Sequence, residues 1–200
     1  MKRHLLIFFI IVSAFAKAQE YKFNVFTQEQ GLPQPYVYDL VQDKRGFLYI
    51  ATGDGLALYG GKKMVKYTKK DSLAESYCSA LFLDSKLNLW VGHFEGHVSK
   101  RTNGKFKKLH TNEEALARVV GFAEDSKGYI YFANAAGGLY VVKEDGEPKL
   151  FTEEELPPIN EIKIKEDKLY TATQEGVLIF ELGKSSKASK TLEGTQGLSR

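Results

Sequence analysis

The fold of this chain is decided by residues 43–59, whose sequence is DKRGFLYIATGDGLALY. The stretch recurs as DSKLNLWVGHFEGHVSK at residues 84–100, as DSKGYIYFANAAGGLYVV at 125–142 and as EDKLYTATQEGVLIF at 166–180. Aromatic anchors stand at Tyr49, Trp90, Tyr131 and Tyr170, with spacings of 41, 41 and 39 residues. A period near 40 residues indicates a repeat architecture, in which neighbouring units stack to bury a shared core.

Each unit consists of short β-rich runs separated by turn residues. In the first unit the runs are YVYDLVQ, FLYIAT, LALY and MVKYT, and the turns between them are DKRG, GDG and GGKK. Four strands per unit with alternating apolar residues predict an all-β fold built from β-propeller blades. The approximate units are 31–73, 74–116, 117–156 and 157–198. Only residues 112–117 look locally helical.

A column of apolar residues precedes the aromatic anchors, and the single cysteine falls in it. The members are Val37, Cys78, Val119 and Ile159. We therefore expect Cys78 to be a small buried hydrophobe rather than a reactive thiol. One cysteine cannot form an intramolecular disulfide, so stability must come from the repeat core.

The two ends of the chain predict an incomplete ring. YKFNVFTQEQGL, at residues 21–32, resembles the outer strand and loop of the first unit, and the last residues, GTQGLSR, resemble its opening. Outer-strand candidates lie near Val25, Val65, Phe106, Leu150 and Lys190, against four sets of inner strands. We expect the N-terminal part of a larger propeller, whose leading strand completes the last blade. The alternative is a four-bladed ring with a dangling tail.

The first eighteen residues read as a secretory signal peptide. Lys2 and Arg3 precede a short apolar run, and small residues at positions 16 and 18 predict cleavage between Ala18 and Gln19. Without Lys2, Arg3 and Lys17 the 28 basic residues become 25, which balance the 25 acidic residues. Balanced charge gives no electrostatic footprint for nucleic acid. No second stretch of membrane-spanning length follows, so we expect a periplasmic or secreted chain with no span in its mature part.

These motifs resemble the two-component regulator propeller repeat. The run GLPQPYVYDLVQDKRGFLYIATGDGLALYGGKKMVKYTKKDSL has the Gly-Leu opener, the D-x-x-G turn, the aromatic-aliphatic-small-Thr strand and the G-x-G-L turn of that repeat. The likeness extends from Tyr21 to the end and is weakest in the fourth unit, which lacks the D-x-x-G turn. It implies the periplasmic sensor region of a larger receptor, with a histidine kinase output outside these residues and an oligosaccharide as the leading ligand class.

The chain contains no recognisable catalytic, cofactor or metal motif. Gly-x-Ser-x-Gly, a Walker loop, Cys-x-x-Cys and the kinase motifs are all absent. His93, Glu95 and His97 resemble a zincin, but that motif needs His-Glu-x-x-His on a helix, and these residues lie in a turn between strands. They are therefore interpreted as ordinary exposed turn residues. We predict no catalytic residues, no cofactor and no metal.

A ligand surface, if the chain has one, should lie on one face of the propeller. Blade geometry brings the outer-to-inner loops and the turns between second and third strands together around the central channel, and binding residues concentrate on such loops. The candidate contacts there are Tyr36, Asp54, Tyr77, His93, Glu95, Arg118, Asn134, Gln174 and Glu175.

Three functions fit this reading. The leading one is an exported ligand-sensing propeller in a two-component receptor. The second is a secreted propeller enzyme, a lyase or hydrolase, for which Asp54, Glu95 and Glu175 are the only candidate carboxylates and form no recognisable pair. The third is a standalone secreted scaffold that binds another protein, and the residues encoded after Arg200 would separate it from the first.

Overall fold

The computed structural model describes residues 23–110, 117–144 and 146–192, which form four antiparallel sheets of four strands each. Blade 1 contains β1 (Val37–Gln42), β2 (Leu48–Thr52), β3 (Gly55–Tyr59) and β4 (Met64–Tyr67). Blade 2 contains β5 (Cys78–Leu83), β6 (Leu89–His93), β7 (Val98–Thr102) and β8 (Lys105–Leu109). Blade 3 contains β9 (Val119–Glu124), β10 (Ile130–Asn134), β11 (Leu139–Val142) and β12 (Lys149–Leu150). Blade 4 contains β13 (Ile159–Lys165), β14 (Lys168–Thr173), β15 (Gly176–Glu181) and β16 (Lys190–Leu192).

The strands of each sheet are hydrogen-bonded in chain order, as in propeller blades. The inner strands β1, β5, β9 and β13 pack side by side, so that blade 1 contacts blade 2, blade 2 contacts blade 3, and blade 3 contacts blade 4. Among the described residues no comparable packing joins blade 4 to blade 1. The predicted all-β, incomplete propeller is therefore confirmed, and its blades form an open arc.

The D-x-x-G turn is closed by its aspartate. Asp125 Oδ1 accepts the backbone N–H groups of Lys127 and Tyr129, both at 2.9 Å, and Asp43 and Asp84 close the corresponding turns of blades 1 and 2. A carboxylate that satisfies turn N–H groups in this way fixes the first hairpin of each blade. The aspartate is therefore a structural residue in each of these three blades.

The residue that ends this turn has left-handed backbone geometry. Gly46 and Gly128 have φ of 87° and 80°, which glycine adopts without a steric penalty. Leu87 holds the same place in blade 2 with φ of 64°. Blade 4 lacks the motif and turns on Glu166 and Asp167, both left-handed.

The core consists of apolar layers between neighbouring blades. Tyr49, Ala51 and Leu56 of blade 1 pack against Leu81, Leu89 and Val91 of blade 2. A second cluster joins blade 2 to blade 3 through residues that include Trp90, Val98, Phe122 and Phe132. Cys78 is fully buried, as predicted, and burial raises the pKa of its thiol to about 12.

Polar side chains connect each blade to the next. Asp39 Oδ2 accepts the N–H of Leu81 at 2.7 Å, and the Ser79 hydroxyl donates to the carbonyl oxygen of Val119 at 2.8 Å. Further along the arc, Ser85 binds Glu124 and Ser126 binds Asp167. The partners stand about one repeat apart, so these bonds fix the angle between adjacent blades.

The segment before β1 covers blade 1 as a preceding blade would. Thr27 caps a 3₁₀ turn at Gln28–Gln30, and Thr68 caps the equivalent turn at Lys69–Asp71 with the same capping box. Leu32 packs on Ile50 of blade 1, just as Leu73 packs in the core beside blade 2. Residues 23–27, where an outer strand was predicted near Val25, belong to none of the four sheets.

Four of the five expected outer strands are present, as β4, β8, β12 and β16. The predicted signal peptide, most of the short helical segment and the C-terminal GTQGLSR lie outside the described residues. In the described part of the chain, no helix has the length and apolar character needed to cross a bilayer.

Candidate functional site

The loops before the inner strands and the turns between second and third strands together form one face of the arc, as predicted. The N–H of Phe94 donates to the carbonyl oxygen of Tyr77 at 3.1 Å in blade 2. In blade 3 the N–H of Ala135 donates to Arg118 at 2.8 Å, and in blade 4 Gln174 donates to Pro158 at 3.3 Å. We call this surface the loop face.

His93 belongs to the scaffold of the loop face. Its side chain is fully buried, and Nε2 lies 2.8 Å from the Ser99 hydroxyl. The carbonyl oxygen of Tyr77 lies 3.3 Å from Nδ1 and can only accept, so Nδ1 of the neutral ring carries the proton and Nε2 accepts from the Ser99 hydroxyl. The same hydroxyl accepts the N–H of Ala74 at 2.9 Å. Burial lowers the pKa of His93 to about 3, so the ring is neutral. The prediction that His93 is an exposed turn residue is wrong.

Asn134 has the same role one blade further on. It is 5% exposed, and its Oδ1 accepts the N–H groups of Ala136 at 3.1 Å and Gly138 at 2.8 Å. Thr52 and Thr173 close the equivalent turns of blades 1 and 4 with their hydroxyls. The position therefore carries a turn-closing side chain in blades 1, 3 and 4, whereas His93 of blade 2 bonds the loop before β5. The amide oxygen of Asn134 is thus committed to backbone.

Three aromatic side chains form a cluster on the loop face. The ring of Phe94 stacks on Tyr77 with centroids 4.3 Å apart, and Tyr38 lies 5.3 Å from Tyr77 and 6.4 Å from Phe94. The Tyr38 and Tyr77 hydroxyls share a hydrogen bond, which raises the pKa of Tyr38. Tyr38 and Phe94 are each about two-fifths exposed, at 39% and 41%. The cluster thus presents aromatic faces and hydroxyls to solvent.

A cavity of about 760 Å³ lies beside this cluster, on the concave side of the arc, where the four inner strands face one another. Tyr38 and Arg118 line it, together with residues of β9 and β13. Most of its charged groups are engaged: Asp39 and Glu124 accept hydrogen bonds from blade 2, and Glu161 pairs with Lys163 at 3.1 Å. In the described residues the Arg118 guanidinium forms no ion pair. Its positive charge lowers the pKa of the Tyr38 hydroxyl, which opposes the larger rise caused by the hydrogen bond with Tyr77.

The other predicted contacts are spread along the loop face. Tyr36 is highly exposed just before β1, and Asp54 forms an ion pair with Lys66 at 2.7 Å. Glu175 is exposed, and its N–H donates to Thr173. Asp54, Glu95 and Glu175 occupy turns of three different blades, and no pair of them meets as an acid and base would need to.

A histidine and two glutamates converge beside the aromatic cluster. His97 Nδ1 lies 2.6 Å from Glu75 Oε1, and Glu75 Oε2 accepts the N–H of Glu95 at 3.0 Å. One potential ligand atom from each of the three residues lies within 4.8 Å of the others. Glu75 is only 4% exposed. The arrangement contains the donor types that hold a divalent metal ion, which the sequence had led us not to expect.

The sequence analysis did not identify Phe94 of the aromatic cluster or Glu75 of the histidine–glutamate group, and the reason is the same for both. Phe94 lies one residue from a predicted contact, and Glu75 lies two residues before Tyr77, yet neither has a motif around it. Their partners come from other loops of the blade. The alternation of β1 could have marked Tyr38 as a residue that faces the channel.

Comparison with known proteins identifies the repeat and the fold. The family described as two component regulator propeller matches residues 31–54, which confirms the resemblance in the first repeat. No curated protein sequence matches the chain.

Several solved structures share the architecture. The extracellular domain of a protein described as a hybrid two component system from B. thetaiotaomicron has a TM-score of 0.65 at 20% identity, covering 85% of this chain and 24% of its own. A second such domain from that organism, described as part of a one component system, has a TM-score of 0.63 at 20% identity, with coverages of 78% and 22%. An inactive virginiamycin B lyase from Staphylococcus aureus gives 0.58 at 14% identity, with coverages of 78% and 59%.

These likenesses establish a propeller fold and no more, because the identities are low. The chain spans under a quarter of the length of the two extracellular domains that it resembles.

Proposed function

We propose that this chain is the exported, ligand-recognising propeller region of a two-component receptor, and that an oligosaccharide binds at the loop-face end of its channel. The leader would be cleaved between Ala18 and Gln19, and the remaining receptor, with its kinase output, would follow these residues. The repeat match and the two extracellular domains of similar fold support this reading.

The observation that carries the proposal is the exposed cluster of Tyr38, Tyr77 and Phe94 beside the 760 Å³ cavity. Pockets for small ligands combine apolar and aromatic walls with a few polar groups that fix orientation. Aromatic faces pack against the C–H faces of sugar rings, while the two tyrosine hydroxyls and Arg118 can bond sugar hydroxyls.

The secreted-enzyme alternative has less support, although one structure of similar fold is a lyase. Its three candidate carboxylates lie on turns of separate blades, and that of Asp54 forms an ion pair with Lys66. The standalone scaffold would use the same loop face, and sequencing of the DNA after the Arg200 codon separates it from the receptor. Further repeats, a membrane helix and a kinase would support the receptor.

Ligand recognition can be tested by isothermal titration of the exported protein with a panel of neutral and acidic oligosaccharides. We expect at least one to bind, and Phe94→Ala to weaken that binding by about tenfold, because the stacked face is lost. The control is Phe23→Ala, which removes an aromatic ring outside the cluster that is even more exposed, at 84% against 41% for Phe94. Absence of binding across the panel, or equal affinity of both variants, would refute the proposed site.

A further inference from the structure

We infer that Glu75, Glu95 and His97 form a binding site for a divalent transition-metal ion on the loop face of blade 2. The inference does not depend on the ligand proposed above, because metal binding can be measured without any saccharide. It adds a metal site where the sequence alone favoured ordinary turn residues.

The donor set selects the class of ion. One imidazole nitrogen and two carboxylates resemble the mixed N and O sites that hold Zn²⁺ or neighbouring transition metals, whereas Ca²⁺ and Mg²⁺ prefer oxygen ligands alone. Donors around one Zn²⁺ stand roughly 3 to 3.5 Å apart. The three donor atoms already lie within 4.8 Å of one another, so small side-chain rotations would bring them to an ion.

The charge of the cluster gives a separate reason for a cation. Glu75 is 96% shielded from solvent, and an uncompensated buried carboxylate is costly. Its described partners are the Glu95 N–H and the His97 imidazole, and no lysine or arginine in the described part of the chain forms an ion pair with it. The second carboxylate adds like charge. A divalent ion would neutralise both carboxylates.

The repeat shows that the turn itself needs neither the side chain of Glu75 nor that of His97. Blade 1 places Gln34, Asp54 and Leu56 at the three positions, and blade 4 has Glu175 and Val177 at the last two. In blade 1 the side chain of Gln34 still lies against the turn: a Cβ added to Gly53 would be 2.2 Å from Gln34 Oε1. A neutral amide at the position of Glu75 and a leucine at the position of His97 therefore suffice for the scaffold. Glu75 and His97 are particular to blade 2.

The site would also connect to the aromatic cluster. Phe94 lies in the same turn, directly before Glu95, and stacks on Tyr77. An ion held by Glu75 in the loop and by Glu95 and His97 in the turn would bridge these two segments. Metal binding would therefore restrict the position of the Phe94 ring.

The test is isothermal titration of the tag-free, EDTA-treated protein with ZnCl₂. We expect one Zn²⁺ per chain, with Mg²⁺ binding at least tenfold more weakly. Glu95→Gln, which alters an exposed side chain, and His97→Leu, which copies blade 1, should each weaken Zn²⁺ binding by tenfold or more. Asp54→Asn, at the equivalent turn position of blade 1, should leave it unchanged.

Circular dichroism in EDTA checks that each variant is folded before titration. Glu75→Gln provides a second probe of the buried ligand, because it reproduces the neutral amide of blade 1. Zn²⁺ binding that is absent from the wild type, or that survives Glu95→Gln and His97→Leu undiminished, would overturn the inference.

Discussion

Blades 1 and 2 have the same repeat, 41 residues apart, but different surroundings. The inner strand β1 is mostly exposed, whereas the first four residues of β5 are buried. Blade 2 lies between two blades, while blade 1 has a blade on one side and the segment before β1 on the other. The repeat thus sets the backbone and its turns, and the neighbouring blades decide which equivalent side chains are buried.

The same comparison applies to the turns of the loop face. Thr52 and His93 stand at equivalent positions and both support the loop face, but the Thr52 hydroxyl bonds within its turn and the His93 imidazole bonds the Tyr77 carbonyl and Ser99. Four residues later, Leu56 lies in the core of blade 1, while His97 faces a glutamate. A role in the scaffold therefore follows from position in the repeat, and departures from the repeat mark candidate function.

The largest effect should be a difference in thiol reactivity between the two blades. Cys78 in β5 and Val37 in β1 are equivalent positions, and Val37 is 44% exposed. Because burial raises the pKa of Cys78 from 9.0 to about 12, its thiolate is about a thousandfold scarcer at a given pH. We expect Ellman's reagent at pH 8 to react at least roughly fiftyfold more slowly with the wild type than with the double variant Cys78→Val, Val37→Cys, because the scarcity of thiolate outweighs the higher nucleophilicity of the more basic thiolate. Similar rates would mean that β1 is covered in the native protein.

The next effect is the cost of removing equivalent leucines. Leu81 is 6% exposed within the core between blades 1 and 2, whereas Leu40, its counterpart in β1, is 58% exposed. Leu81→Ala should lower the free energy of unfolding by about 3 kcal/mol, because it leaves a cavity. Leu40→Ala should cost about 0.5 kcal/mol or less, as surface substitutions do. Urea denaturation measures both, and equal costs would indicate that another surface packs on β1.

Local sequence carried most of the information on the fold. Alternation and turn residues predicted four strands per unit, and the apolar column placed Cys78 in the core, because both depend on neighbours within a few residues. The strand near Val25 stays a prediction, because a strand needs a partner edge and the last blade that it is expected to complete is not among the described residues.

The candidate site was less predictable, since its contacts join separate loops. Position in the blade placed Tyr77 and Arg118 on the loop face. The environment of His93 depends on Ser99 and the Tyr77 carbonyl, and that of His97 depends on Glu75. Neither pairing has a local signature, so an exposed turn was expected for both histidines.

The smallest effect concerns the D-x-x-G turn, where blade 1 has Gly46 and blade 2 has Leu87. Both are left-handed, which costs a non-glycine residue roughly 1 to 2 kcal/mol, and Leu87 is 56% exposed, so its side chain contributes little burial. Leu87→Gly should therefore raise the free energy of unfolding by about 0.5 kcal/mol, because the relief of strain exceeds the entropy that glycine adds to the unfolded chain. Gly46→Leu should lower it by a similar amount, and urea denaturation of both measures the difference. A loss of stability in Leu87→Gly would mean that the leucine side chain packs against a surface beyond the described arc.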